Sequence, residues 1–165
     1  MSRNQASNFT VFWAVSFSML VALALVIVTL PQWVFYFWPD WVALVIVYWA
    51  LYTSEKVGPL VGFIVGIVLE VLFVRHFGVE ALGLATLAFV VNYSSRQLRV
   101  LSIWQQTIVI AMFVALFKLF TGWLFGLVDQ FTITIEYWYS SLGNVLVWPF
   151  ISILLHELRR KMRIR

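Results

Sequence analysis

A chain of 165 residues that is 63% hydrophobic and only 11% charged, with a mean hydropathy of +0.96, is no ordinary soluble domain, in which about a quarter of residues carry charge. The absence of cysteine removes disulfides, thiolate nucleophiles and cysteine-bound metals, while His76 and His156 each stand beside a helix end, far apart in the chain, which argues against a two-histidine metal site. The formal charge of +4 is concentrated in the C-terminal stretch HELRRKMRIR, where Arg159, Arg160, Lys161, Arg163 and Arg165 follow an apolar segment; such a cluster is drawn to anionic phospholipid by about 1 kcal/mol per charge, and no aromatic platform or recognition helix accompanies it to suit nucleic acid.

The first apolar run, Phe9 to Leu30, is long enough as a helix to cross a hydrocarbon core of about 30 Å. It is too long for a signal-peptide core, and TLPQW offers no small-residue cleavage site, so it is expected to remain as the first span, with Ala14, Ser18 and Ala22 as a small-residue stripe. The aromatic segment PQWVFYFWPDW, interrupted by Pro31 and Pro39, suits a membrane surface. A second span over 41–52 is short for a crossing. After the polar turn TSEK, the third span covers 57–74, and after RHFGVE the fourth covers 81–93, with Ala81, Ala85 and Ala88 on one face. The fifth, 103–128, is interrupted by QQT and by Lys118; DQFTITIEY alternates like a strand in the loop before the sixth, 138–155.

Charge orients these spans. With the N-terminus inside, the inner segments hold Arg3, Lys56, Arg96, Arg99 and the five basic residues of the tail, nine of the eleven, whereas the outer loops hold only Arg75 and Lys118 lies within a span. That is the asymmetry of the positive-inside rule. The expectation is an all-α integral membrane protein: one domain over 1–165, six transmembrane helices in one bundle, and both termini in the cytoplasm.

The third span carries the most distinctive pattern. Gly58, Gly62, Gly66 and Glu70 fall four apart and therefore lie along one side of a helix, where small residues allow the close backbone approach that drives association in lipid. This groove predicts that the third helix is central to the bundle. Glu70, a carboxylate too costly to leave among acyl chains, is expected to pair with Lys118 or Arg75, with Glu80 nearby. Ser140, Ser141 and Asn144, followed by Trp148 and Pro149, add polar groups to the outer half of the sixth helix, so that a small cavity open to the exterior is compatible with the pattern. No phosphate loop, nucleophile elbow or HExxH occurs, both histidines are at edges, and neither Asp40 nor Asp129 lies deep enough for an aspartate pair. Neither an enzyme nor a cofactor is expected.

The order WPDWVALVIVYW, VGFIVGIVLEVLF, FGVEALGLATLAFVVNY, WQQ and SSLGNVLVWPF resembles MreD, the family of bacterial rod shape-determining membrane proteins, over nearly the whole chain. In that family a Pro-Asp or Pro-Asn pair precedes the second helix, matched here by Pro39 and Asp40, and a glycine-rich helix ends in an acid, matched by Gly62, Phe63, Gly66 and Glu70. Two positions depart from it: Trp38 stands where relatives usually have Arg, and Glu70 where they usually have Asp. The resemblance implies a non-enzymatic inner-membrane subunit of the cell-elongation machinery, acting with MreC, the actin-like MreB, RodA and a class B penicillin-binding protein in lateral peptidoglycan synthesis. A homodimer is compatible with it. It also implies a likeness to the substrate-binding subunits of energy-coupling-factor vitamin transporters, six-helix bundles with an outward-facing site, from which an alternative reading follows: a subunit binding a small molecule or lipid.

Overall fold

The computed structural model describes residues 3–28, 38–74, 78–129 and 136–161, and the side chains of these except at 3–8, 128–129 and 136–142. Arg75, His76, Arg163 and Arg165 lie outside the described residues, as do the side chains of Ser140 and Ser141. The described residues form six helices and no strand: α1 (Arg3–Ile27), α2 (Trp41–Tyr52), α3 (Pro59–Phe73), α4 (Val79–Leu98), α5 (Ile103–Asp129) and α6 (Glu136–Lys161). A helix satisfies its own backbone polar groups, which is why chains this apolar adopt it. Phe9–Ile27 and Ile103–Leu127 are each long and apolar enough to cross a membrane.

The middle of the molecule belongs to α2. Every residue from Val42 to Leu51 is buried, and α1, α4, α5 and α6 all touch it. Its sequence, WVALVIVYWALY, is apolar on all sides, which suits a helix enclosed by others. At 12 residues it measures only about 18 Å, well short of a hydrocarbon core. The small stripe of α1 lies against it: Ala14, Ser18 and Ala22 are buried, and the Trp49 indole N–H donates to Ser18 Oγ at 2.8 Å.

The expectation of a central glycine helix is therefore corrected. On α3 only Gly62, Gly66 and Glu70 are buried, while Leu60, Ile64, Val68 and Val71 are exposed, and the helix packs chiefly on α4. A glycine groove secures one intimate neighbour; it does not supply the all-round apolar surface that a central helix needs. The approach itself is backbone to backbone. A methyl group at Gly62 would stand 2.5 Å from the Leu84 carbonyl oxygen, and one at Gly66 would run into the backbone of Ala81. Gly58 is different, because a methyl there would meet only Asn92 Nδ2 at 3.5 Å, an ordinary contact. Gly83, on the other side of α4, makes room for side chains, since an added methyl would strike those of Phe117 and Thr121 of α5.

Candidate functional site

Glu70 ends the glycine stripe, and its surroundings follow from how α3 stops. Val74 turns left-handed (φ 50) while its N–H still reaches the Glu70 carbonyl, and the chain re-enters a helix through Gly78 at φ 101, a conformation suited to a residue without a side chain. This reversal brings the start of α4 over the Glu70 side chain. Glu70 Oε2 accepts the Gly78 N–H at 2.8 Å, and Oε1 accepts those of Glu80 at 2.7 Å and Ala81 at 3.1 Å. The carboxylate, fully buried, thus caps the positive end of the next helix. The expected pairing with Lys118 is corrected: Glu70 is satisfied by backbone amides, which lie eight to eleven residues ahead of it in the chain.

Lys118 meets Asp40 instead. Its Nζ lies 3.5 Å from Asp40 Oδ2, a long ion pair in which the lysine is buried and the aspartate about one-third exposed. Asn144 fastens the same carboxylate, donating from Nδ2 to Oδ2 at 2.8 Å, and its Oδ1 accepts the backbone N–H of Asp40 at 2.8 Å. Asp40 precedes the first turn of α2, so its negative charge also lies at the positive end of that helix. Pro39 is buried beside it, and Trp38, one of the two departures from the family pattern, donates its indole N–H to the Leu25 carbonyl of α1 at 3.3 Å. Trp148, one turn beyond Asn144, is buried with its indole N–H unpartnered, and Trp41 Nε1 is likewise buried and unpartnered. Phe63 of the family motif sits at the partly exposed rim of α3.

A second polar layer lies at the end of the bundle where α2, α4 and α6 finish. Gln106 Nε2 reaches Tyr52 Oη at 3.4 Å and the Leu98 carbonyl at 3.3 Å, and the His156 ring stands edge-on to Tyr52 at 6.2 Å. Arg99 Nε donates to the Leu51 carbonyl at 2.7 Å, closing the negative end of α2, and its Nη2 reaches Ser54 Oγ at 3.2 Å. Arg159 holds its guanidinium carbon 5.5 Å from the centre of the Tyr52 ring. Asp40, Lys118 and Asn144 are each twelve residues from Tyr52, Gln106 and His156 respectively, so the two layers are separated by about 18 Å along three helices at once.

Chemically, the layer of Asp40, Lys118 and Asn144 is a neutralised charge pair locked by an amide, suited to fixing α2, α5 and α6 together. Among the described residues no three His, Asp or Glu side chains converge to hold a metal ion. The sequence pattern identified Glu70, Lys118 and Asn144, which are all buried, but missed Asp40 as the residue that brings the last two together.

Comparison with known proteins extends over the same elements. The chain matches the family profile described as MreD, rod shape-determining protein MreD, across residues 7–158. It is 29% identical over 129 residues to the rod shape-determining protein MreD of Haemophilus influenzae, an alignment covering 76% of this chain and 78% of that relative. No solved structure matches.

Proposed function

The chain belongs to the MreD family of rod shape-determining proteins, and on that footing we propose that it is a non-enzymatic scaffold of the elongation complex, organising lateral peptidoglycan synthesis from the bacterial inner membrane. The family match across 7–158 carries this reading, because it takes in every helix that builds the two polar layers. The architecture supports it. Polar groups are spent on internal joints, whereas the perimeter offers broad apolar faces, such as Phe9, Phe12, Phe17 and Leu20 on α1, to lipid and to partner helices. The single-span helix of MreC is the direct partner in this reading, with MreB, RodA and a class B penicillin-binding protein joined through the complex, and with the basic tail held at anionic phospholipid. In this reading the helices form one membrane bundle with α2 enclosed at its centre, and both termini are cytoplasmic.

Depletion of the protein in a rod-shaped host tests the proposal. Cells are expected to round up as labelled peptidoglycan precursor leaves the lateral wall, and tagged MreC is expected to co-purify with the protein before depletion. Rods that persist after the protein has gone would overturn it.

A further inference from the structure

The two sides of the bundle differ in apolar height. Helices α4 and α5 run antiparallel, and two contacts fix their relative level: Gln106 Nε2 donates to the Leu98 carbonyl at 3.3 Å, and Gly83 lies against Thr121. Both contacts give the same register, in which Tyr93 of α4 stands level with position 111 of α5. Exposed aromatic rings at the ends of an apolar bundle mark the level of lipid headgroups. On α5 that ring is Trp104, 73% exposed, and on α4 it is Tyr93, 85% exposed, yet Trp104 stands about 10 Å beyond the level of Tyr93, further from the middle of the bundle. The turn before α3 agrees with Tyr93. Gly58 faces Asn92, whose Nδ2 donates to the Ser54 carbonyl at 3.0 Å, and the intervening Glu55 and Lys56 are both exposed, where a flat surface drawn through Trp104 would submerge these charges in hydrocarbon. From that turn the exposed apolar side chains of α3 run only from Leu60 to Val74, a rise of about 21 Å, whereas the exposed indoles Trp104 and Trp123 of α5 are about 28 Å apart, close to the ordinary core of about 30 Å.

We propose that the outer face of the α3–α4 hairpin is a contact surface for locally thinned lipid: phospholipid headgroups dip by about 10 Å beside Tyr93, Asn92 and Lys56, while the bilayer keeps its full thickness at α5. An apolar face shorter than the hydrocarbon core draws the adjoining acyl chains to its own height, and the charged turn between α2 and α3 holds the headgroups at that depth. The inference rests on the membrane placement given above, but neither on which end faces the cytoplasm nor on the partners of the scaffold.

Because the chain has no cysteine, single cysteines report depth: a thiol reacts with N-ethylmaleimide as its thiolate, which forms only where water reaches. In vesicles of dioleoyl phosphatidylcholine and dioleoyl phosphatidylglycerol, the full-length Tyr93→Cys variant is expected to react at least about tenfold faster than Met112→Cys, exposed at nearly the same level on α5, and than Phe89→Cys, exposed one turn nearer the middle of α4. All three are expected to react fully once denatured. N-ethylmaleimide crosses bilayers, so the outcome is independent of orientation. Reaction of Tyr93→Cys as slow as that of Met112→Cys would show a flat surface and overturn the proposal while leaving the membrane placement intact; fast reaction of all three would take α5 out of the hydrocarbon and overturn both. Oxidative crosslinking of Ile64→Cys between copies in dilute vesicles would mean that a second chain, and not lipid, covers α3, and would equally overturn it.

Discussion

Removing the Glu70 side chain leaves three amides without an acceptor, two of them at the first turn of α4, and each buried loss of this kind costs about 1–3 kcal/mol. Glu70→Ala is therefore expected to lower the unfolding free energy in detergent by about 3 kcal/mol or more, and an unchanged denaturation midpoint would contradict the cap. A double-mutant cycle separates the two acids. Asp40→Asn with Lys118→Met is expected to show a coupling of about 1 kcal/mol, whereas Glu70→Gln with Lys118→Met is expected to add within about 0.5 kcal/mol. Glu70 could be recognised in the sequence as a buried acid because its spacing from Gly62 and Gly66 is a side-chain signal. Its partners could not, since backbone N–H groups belong to every residue and leave no letter to read. The partner of Lys118 is a side chain and so does leave a letter: Asp40 reads as a surface residue until α2 is recognised as too short to place it there. The common twelve-residue interval to Tyr52, Gln106 and His156 was the available clue.

Helix α3 and helix α4 form the closest pair, and their separation is set at two positions and not at a third. Gly66→Ala is expected to destabilise by about 2 kcal/mol, despite the roughly 1 kcal/mol that alanine gains in helix propensity, because the methyl meets backbone that cannot turn aside. Gly58→Ala, with ordinary van der Waals space at 3.5 Å, is expected to change stability by less than about 0.5 kcal/mol. Chemical denaturation of the two purified variants compares them directly; equal effects would mean that the stripe acts through composition and not through contact. Six helices were legible because polar turns separate the apolar runs. Which helix sits in the middle was not, because composition records how apolar a segment is and not how many neighbours surround it. The informative property was the absence of any polar side on α2, set beside the single groove of α3.

At the scale of the molecule, the asymmetry of basic residues and the stacking of two polar layers give a single orientation to test. Alkaline phosphatase fused after residue 76 or residue 132 is expected to be active in the periplasm, and after residue 55 or residue 161 to be inactive, as the positive-inside distribution requires. Activity at residue 161 would invert the bundle. The Glu70 cap carries a further implication for how the chain enters the bilayer during synthesis. When α3 leaves the ribosome its carboxylate has no donors, and an unrelieved ionised residue adds some kcal/mol to the cost of leaving the translocon for lipid. Its donors, the N–H groups of Gly78, Glu80 and Ala81, are made within the next eleven residues, at the opening of α4. Partitioning of α3 is thereby deferred until α4 has emerged, so that the two helices move sideways into lipid as one hairpin; in an insertion assay a segment of α3 alone is expected to integrate less completely than α3 followed by α4.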